Sequence, residues 1–513
     1  MATYDRRTFL GKVGTGMLVS AGGLAVVNEF DLLGFVYANE TDRLEFGNLE
    51  PLVSLMQETS ADALIPKLKA EMDGGTDLRT LAAAAALANA RAFGGTDYTG
   101  YHCFMAIVPA LAMAGQLSGN AAALPLFKVL HRNSRQIEAG GGRHRDSLKP
   151  VEPAASTEGE IRSRLLAAGR KGAFDSAEAM FANVAAKAPE AAFHAIQPLV
   201  RDNIDVHQVV LAYRSWDMLR LTGEENAHVL LRQALRHCID RDEGRRARGR
   251  SAPAIRTLLP ELTEAHGLNR PKKSTRRLER EQLHELAQFI FSSGRDEAAR
   301  RVAAELGGGV SREDIGEALS LASVRLLLHD PGRSYGEKGK PEGSVHGASV
   351  GLHASDSANA WRGIADATGA VDANACLVTA AWHTAGQSRR MDTSEPYHAR
   401  ARAVAAEVPA DKLLGANDEA IRGGDQPLSC ALAERYGELD GDPSALVSLL
   451  VKPATRFDGA LHHEKFFHTA TVEFGRTRPD FRFEHLVALT RVMASGYGFE
   501  AEGLELSRRV LGV

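Results

Sequence analysis

The sequence predicts an all-α protein, built as a multi-helix bundle or an irregular array of helical hairpins. Three observations point there. Alanine, the strongest helix former, is abundant, while aromatic residues make up only 6% of the chain. Valine and isoleucine seldom alternate with polar residues over strand-length windows, which is the pattern a half-buried strand needs. Apolar segments of helical length recur between breaks rich in Gly, Pro and Ser. With 513 residues, 44% hydrophobic and 25% charged, the composition is that of an ordinary folded protein.

The first element is a leader. Arg6 and Arg7 stand together, followed by Thr8, Phe9, Leu10, Gly11 and Lys12, and then by a moderately apolar, glycine-rich run over 13–27. This order resembles a twin-arginine signal peptide, in which paired arginines precede a polar residue and Phe-Leu. The resemblance implies recognition of Arg6 and Arg7 by the twin-arginine export machinery. It also implies transport of an already folded protein to the periplasm or another extracytoplasmic space. Val36-Tyr37-Ala38 resembles a small-residue cleavage site, so 1–38 is expected to be the signal peptide, with processing after Ala38. The apolar run is short for a membrane span of about 20 residues. No later segment is an uninterrupted apolar span, so no stable membrane span is expected after processing.

The body follows in order. Alanine-rich 78–93 predicts a helix, 101–116 a second and 121–135 a third. The Gly/Pro/Ser-rich stretch 139–160 predicts a loop, and helices resume in pieces from 161 to 238. A basic, proline-containing connector over 241–280 separates an N-terminal helical region, 39–240, from a C-terminal one, 281–513. A further break over 331–344 leads into a helix over 345–361. Segments 206–238, 377–408 and 463–494 each read as helix, polar turn, helix, with His228, His398 and His485 near the second start. A helical hairpin cannot bury its apolar face alone, so a stacked or bundled array follows.

Charge and cysteines narrow the chemistry. The formal net charge is −4, which argues against nucleic acid as a partner. The basic connector contains no aromatics, so it offers no stacking platform for a single strand. Cys103, Cys238, Cys376 and Cys430 are far apart and form no CxxC or CxxCH, so they read as buried apolar residues. No phosphate-binding loop, dinucleotide fingerprint or HExxH is present.

Histidines carry the functional expectation. His346 and His353 are seven apart in VHGASVGLHASDSANAW, two turns along one face of the 345–361 helix. The small residues around them would let another helix approach closely. His102, His207, His383 and His468 also sit inside apolar helical runs, and Glu464 shares a helix face with His468. Imidazoles projecting inward from several helices are how bundle metal sites are built. The expected ligands are therefore His346, His353 and His383, helped by His102, His207 or His468. Iron or another transition metal is the expected cofactor, supporting redox or oxygenase chemistry. Two alternatives stay open: a haem held by an axial histidine without covalent attachment, and a metal-free helical-repeat scaffold that binds a protein or peptide. Glu225/His228, Glu281/His284 and Glu395/His398 have di-iron spacing, but these glutamates are accounted for as first-turn carboxylates facing a helix dipole.

Four segments also resemble the questin-oxidase-like helical proteins: GYHCFMAIVPALAMA around His102, SVHGASVGLHASDSANAW, NACLVTAAWHTAG and ALHHEKFFHTATVEF. The resemblance implies an oxidoreductase that uses molecular oxygen on a small molecule, in that family an aromatic polyketide. The leader departs from that family's usual setting.

Overall fold

Short polar side chains open the helices that matter most. Asp77 accepts the N–H of Thr80, Asp97 that of Gly100, Asp205 that of His207, Ser311 that of Asp314 and Ser349 that of Leu352. Each satisfies a donor that a helix start leaves orphaned, worth about 1 kcal/mol. The structure, a computed structural model, describes residues 43–155, 158–270, 275–337, 340–345, 349–391, 394–458 and 460–513. The twin-arginine leader, its cleavage site and His346 lie outside them.

The chain begins with α1 (Glu50–Glu58), α2 (Ala61–Asp73), α3 (Leu78–Phe93), α4 (Tyr98–Ala114) and α5 (Leu124–Ala139). It continues with α6 (Glu158–Lys171), α7 (Phe174–Ala185), α8 (Pro189–Asp202), α9 (Val206–Asp217), α10 (Leu219–Thr222) and α11 (Ala227–Ala247). Then come α12 (Ile255–Ala265), α13 (Arg280–Ser292), α14 (Arg295–Gly307), α15 (Arg312–Leu328), α16 (Val350–Ala367) and α17 (Ala370–Ala385). The last are α18 (Arg402–Ala406), α19 (Leu413–Arg422), α20 (Gln426–Glu438), α21 (Pro443–Arg456), α22 (His462–Arg476), α23 (Phe483–Ser495) and α24 (Leu504–Leu511). Among the described residues the only extended pairings are isolated bridges, such as Phe457 with Glu500. The all-α expectation holds. No described helix is long and apolar enough to cross a membrane.

Leu44–Val513 form one unit by their contacts, so both helical regions read from the sequence contribute to the same body. α3 is buried on every side from Leu81 to Phe93, because its alanines let α1, α4 and α11 come close. α16 is clamped in a similar way. Gly351 lies against the Leu327 backbone of α15, and Gly363 lies under the Tyr213 ring of α9. A β-carbon at either position would overlap those atoms. α4, α9, α16 and α22 pack in a closed circuit: α4 on α9, α9 on α16, α16 on α22, and α22 back on α4.

Two local expectations need correction. The 345–361 helix begins only at Val350, because Ser349 caps it and Asp330 holds the Ser349 hydroxyl at 2.6 Å. The basic stretch after 240 is not all connector, since α11 runs on through Ala247 and α12 follows at Ile255. Several of its arginines are held by this chain's own acids. Arg245, Arg246 and Arg256 pair with Asp242, and Arg256 also reaches Asp202. Arg245 and Arg246 in the last turn of α11 also favour its negative dipole end.

Candidate functional site

The circuit of four helices brings one imidazole from each to a common region. His102 is on α4, His207 on α9, His353 on α16 and His462 on α22. Ring centroids lie 4.8 Å apart for His102–His207, 5.6 Å for His207–His353, 5.3 Å for His353–His462 and 5.8 Å for His462–His102. The rings thus form a closed quartet in the same order as their helices. His102 and His462 are 4% and 5% exposed, and His207 and His353 are part-buried.

Three of the rings hold Nδ1 on an oxygen near the start of their own helix, whereas Nδ1 of His462 is buried without a hydrogen-bond partner. His102 Nδ1 is 2.6 Å from the Tyr98 carbonyl, and His353 Nδ1 is 2.8 Å from the Ser349 carbonyl. His207 Nδ1 is 3.0 Å from Asp205 Oδ1, and His462 Nδ1 is 3.8 Å from Asp458 Oδ2. A carbonyl can only accept, so Nδ1 of His102 and of His353 carries the proton. That leaves Nε2 with its lone pair free. Nε2 of His102, His207 and His462 is buried without a hydrogen-bond partner. An unpaired buried polar atom is costly, about 1–3 kcal/mol, and three in contacting rings call for an explanation.

Local sequence explains the arrangement. His102 and His353 follow their accepting carbonyls by four residues, one helical turn. His207 is the second residue of α9, whose capping carboxylate, Asp205, also takes the His207 backbone N–H at 2.9 Å. Asp458 takes the backbone N–H groups of His462 and His463 at 2.7 and 3.0 Å and so sets the start of α22.

Electrostatics favours the neutral form of His102, His353 and His462. Burial, then the Lys465 ammonium, holds His102 well below the ordinary histidine range. The same two causes hold His462 far down, against the pull of Asp458. Burial and the neighbouring His207 push His353 down to about 4. Lys465 lies one turn beyond His462, and burial lowers its own pKa. Its charge acts on buried Asp356, which accepts the Thr469 hydroxyl at 2.9 Å and whose carboxyl burial pushes up. Neutral imidazole is the form that binds a metal ion.

Two tyrosines extend the cluster outward. Tyr101 stacks on His102 at 5.0 Å and touches His207 at 5.7 Å and His237 at 5.0 Å. Tyr98 lies 4.3 Å from the His102 ring, 5.9 Å from His207 and 5.6 Å from Tyr101, and it is 63% exposed. Asp205 is also held by Arg241 at 3.1 Å, so the outer wall of the site is Tyr98, Asp205 and Arg241.

Of the expected ligands, the structure brings His102, His207 and His353 together. His383 stands outside the quartet on α17, where its Nδ1 accepts the Trp361 indole N–H at 3.4 Å. His468 is six residues beyond His462 on α22, on a different face, in the field of Arg214 and Arg220. Glu464 forms an ion pair with Lys128, whose ammonium also donates to the carbonyls of Ala454 and Phe457 at 2.9 and 2.8 Å. The sequence reading missed His462, although the 462–463 histidine pair four residues after Asp458 was visible.

Among the described residues, no group of three or more His, Cys, Asp or Glu side chains is placed so that it could hold a metal ion. The four cysteines are free and buried, as expected of small apolar residues. No protein-family model, curated protein or solved structure matches this chain, so a functional reading rests on its residues and their geometry.

Proposed function

We propose that the quartet of His102, His207, His353 and His462 is a transition-metal centre, and that the protein is an exported oxidoreductase acting through it. One observation carries the reading: of four contacting imidazoles from four helices, those of His102, His207 and His353 hold Nδ1 on an oxygen, and Nε2 of His102 and His207 and both ring nitrogens of His462 are buried without a partner. Metal-binding histidines are held this way, with the second nitrogen donating to a carbonyl or carboxylate that fixes the tautomer.

Spacing agrees. Four imidazoles around one ion, at a nitrogen–metal distance of about 2 Å, put neighbouring centroids about 5 Å apart. The observed separations run from 4.8 to 5.8 Å. An all-imidazole set suits iron, copper or zinc, and the first two supply redox chemistry. Rings in mutual contact leave no room for a macrocycle between them, which disfavours haem. Export by the twin-arginine route fits a metal acquired before transport. The questin-oxidase-like resemblance agrees with oxygen as oxidant.

Elemental analysis and a visible spectrum of protein matured through its own export route test this. The expected result is a stoichiometric transition metal, lost in a His102→Ala/His353→Ala variant that keeps its helical circular dichroism. A strong Soret band would replace the reading with haem. A protein that takes up neither metal nor haem would leave a helical scaffold.

A further inference from the structure

We infer that Lys465 and Asp356 form a carbonyl-capturing site, in which the Lys465 amine condenses with a small aldehyde or ketone and the Asp356 carboxyl supplies the acid. The chemistry needs no metal and goes beyond the reading above. Lys465 lies on α22 and Asp356 on α16, two helices packed on each other, and they are only 5% and 7% exposed. Lysine is almost never this buried unless paired. The fold satisfies its other buried lysine fully: Lys128 pairs with Glu464 and donates to the carbonyls of Ala454 and Phe457. Among the described residues no hydrogen bond or ion pair holds the Lys465 amine. Asp356 is the carboxyl that acts on it most strongly, and Lys465 is the charge that acts most strongly on Asp356, yet the two do not pair. The Asp356 carboxyl accepts the Thr469 hydroxyl at 2.9 Å, which anchors it one turn along α22 from the amine. Burial favours the neutral form of each group. Those are the forms in which an amine attacks a carbonyl and a carboxyl donates a proton.

The atoms balance. The Lys465 amine adds to the carbonyl carbon, and one of its protons passes to the carbonyl oxygen, giving a neutral carbinolamine. The Asp356 carboxyl then gives its proton to that hydroxyl, which leaves as water. The nitrogen lone pair closes the carbon–nitrogen double bond. The products are an iminium cation on Lys465, one water and the Asp356 carboxylate. Two neutral groups thus become opposite charges in a buried place, where their attraction is strong and holds the captured form. Addition of water runs the sequence backwards and frees the carbonyl compound.

The test is reductive methylation of the full-length protein at neutral pH, with limiting formaldehyde and with cyanoborohydride to trap the iminium. Peptide mass mapping reads each lysine separately. Lys465 is expected to methylate about tenfold faster, or more, than Lys452, which is exposed on α21. Asp356→Asn keeps an oxygen for the Thr469 hydroxyl but removes the acid, so it should slow Lys465 by at least about tenfold and leave Lys452 unchanged. A lysine that is reactive only through low basicity would not slow, because losing a neighbouring negative charge frees more of its amine. Lys465 methylated no faster than Lys452 in the wild type overturns the site, and this comparison stands whether or not the variant folds. An undiminished rate in Asp356→Asn with native helical circular dichroism overturns it as well. Neither outcome bears on the metal centre.

Discussion

Asp205 Oδ1 lies 3.0 Å from His207 Nδ1 and 2.9 Å from the His207 backbone nitrogen, so one carboxylate both starts α9 and orients the imidazole. Asparagine caps a helix about as well as aspartate. Asp205→Asn therefore keeps the cap and the acceptor oxygen but removes the charge behind the ring. We expect metal affinity to fall by about tenfold to a hundredfold, the usual effect of losing such a partner. Competition with a chelator measures it, and thermal unfolding of the metal-free protein should barely change.

The buried imidazoles predict acid lability with a defined window. His228, His237, His353, His383 and His485 are all pushed down to about 4 by burial. In the unfolded chain each titrates near 6.5. Between these values the unfolded state binds more protons, so stability rises with pH. The stabilisation from keeping these rings neutral is complete above 6.5 and is lost as pH falls towards 4. Glu464 acts in the opposite sense: burial raises its pKa to about 7, so its share falls as pH rises from 4.5 to 7. Five histidines outweigh one glutamate, so urea midpoints should drop steeply between pH 6.5 and 4. A flat profile there would contradict neutral imidazoles.

Close helix contact at Gly351 predicts a stability defect remote from the ring nitrogens. A methyl group there would overlap the Leu327 backbone, which cannot move without shifting α15. Gly351→Ala should cost about 1–3 kcal/mol in chemical denaturation. His353 lies two residues on, so metal affinity should weaken as well.

Arg362 is buried and bridges Glu473 and Glu313. Arg362→Met leaves Glu473, which is 2% exposed, without its countercharge. A loss of about 3–5 kcal/mol is expected. Adding Glu473→Gln should recover part of it, because the residual cost is that of an uncompensated charge.

Helical character was legible because alanine-rich windows such as 78–93 contain no competing strand pattern. That segment forms the Leu78–Phe93 helix. Three members of the quartet were also legible, since His102, His207 and His353 stand in apolar helical runs. Periodicity shows which face a residue occupies but not which distant helix meets it. The packing of α4 on α22 joins segments hundreds of residues apart, and no local pattern carries it. His462 was missed because the Glu464–His468 spacing drew attention, yet Lys128 neutralises Glu464. The helix start at Val350 was not legible because Ser349 reads as a small helical residue, whereas its hydroxyl caps the helix.

X-ray absorption on metal-loaded protein tests the central claim most directly. The account predicts a first shell of three or four nitrogens with the outer-shell scattering of imidazole rings, reduced by about one ring in His462→Ala. A shell of oxygens without ring scattering, or a spectrum unchanged by His462→Ala, would contradict it.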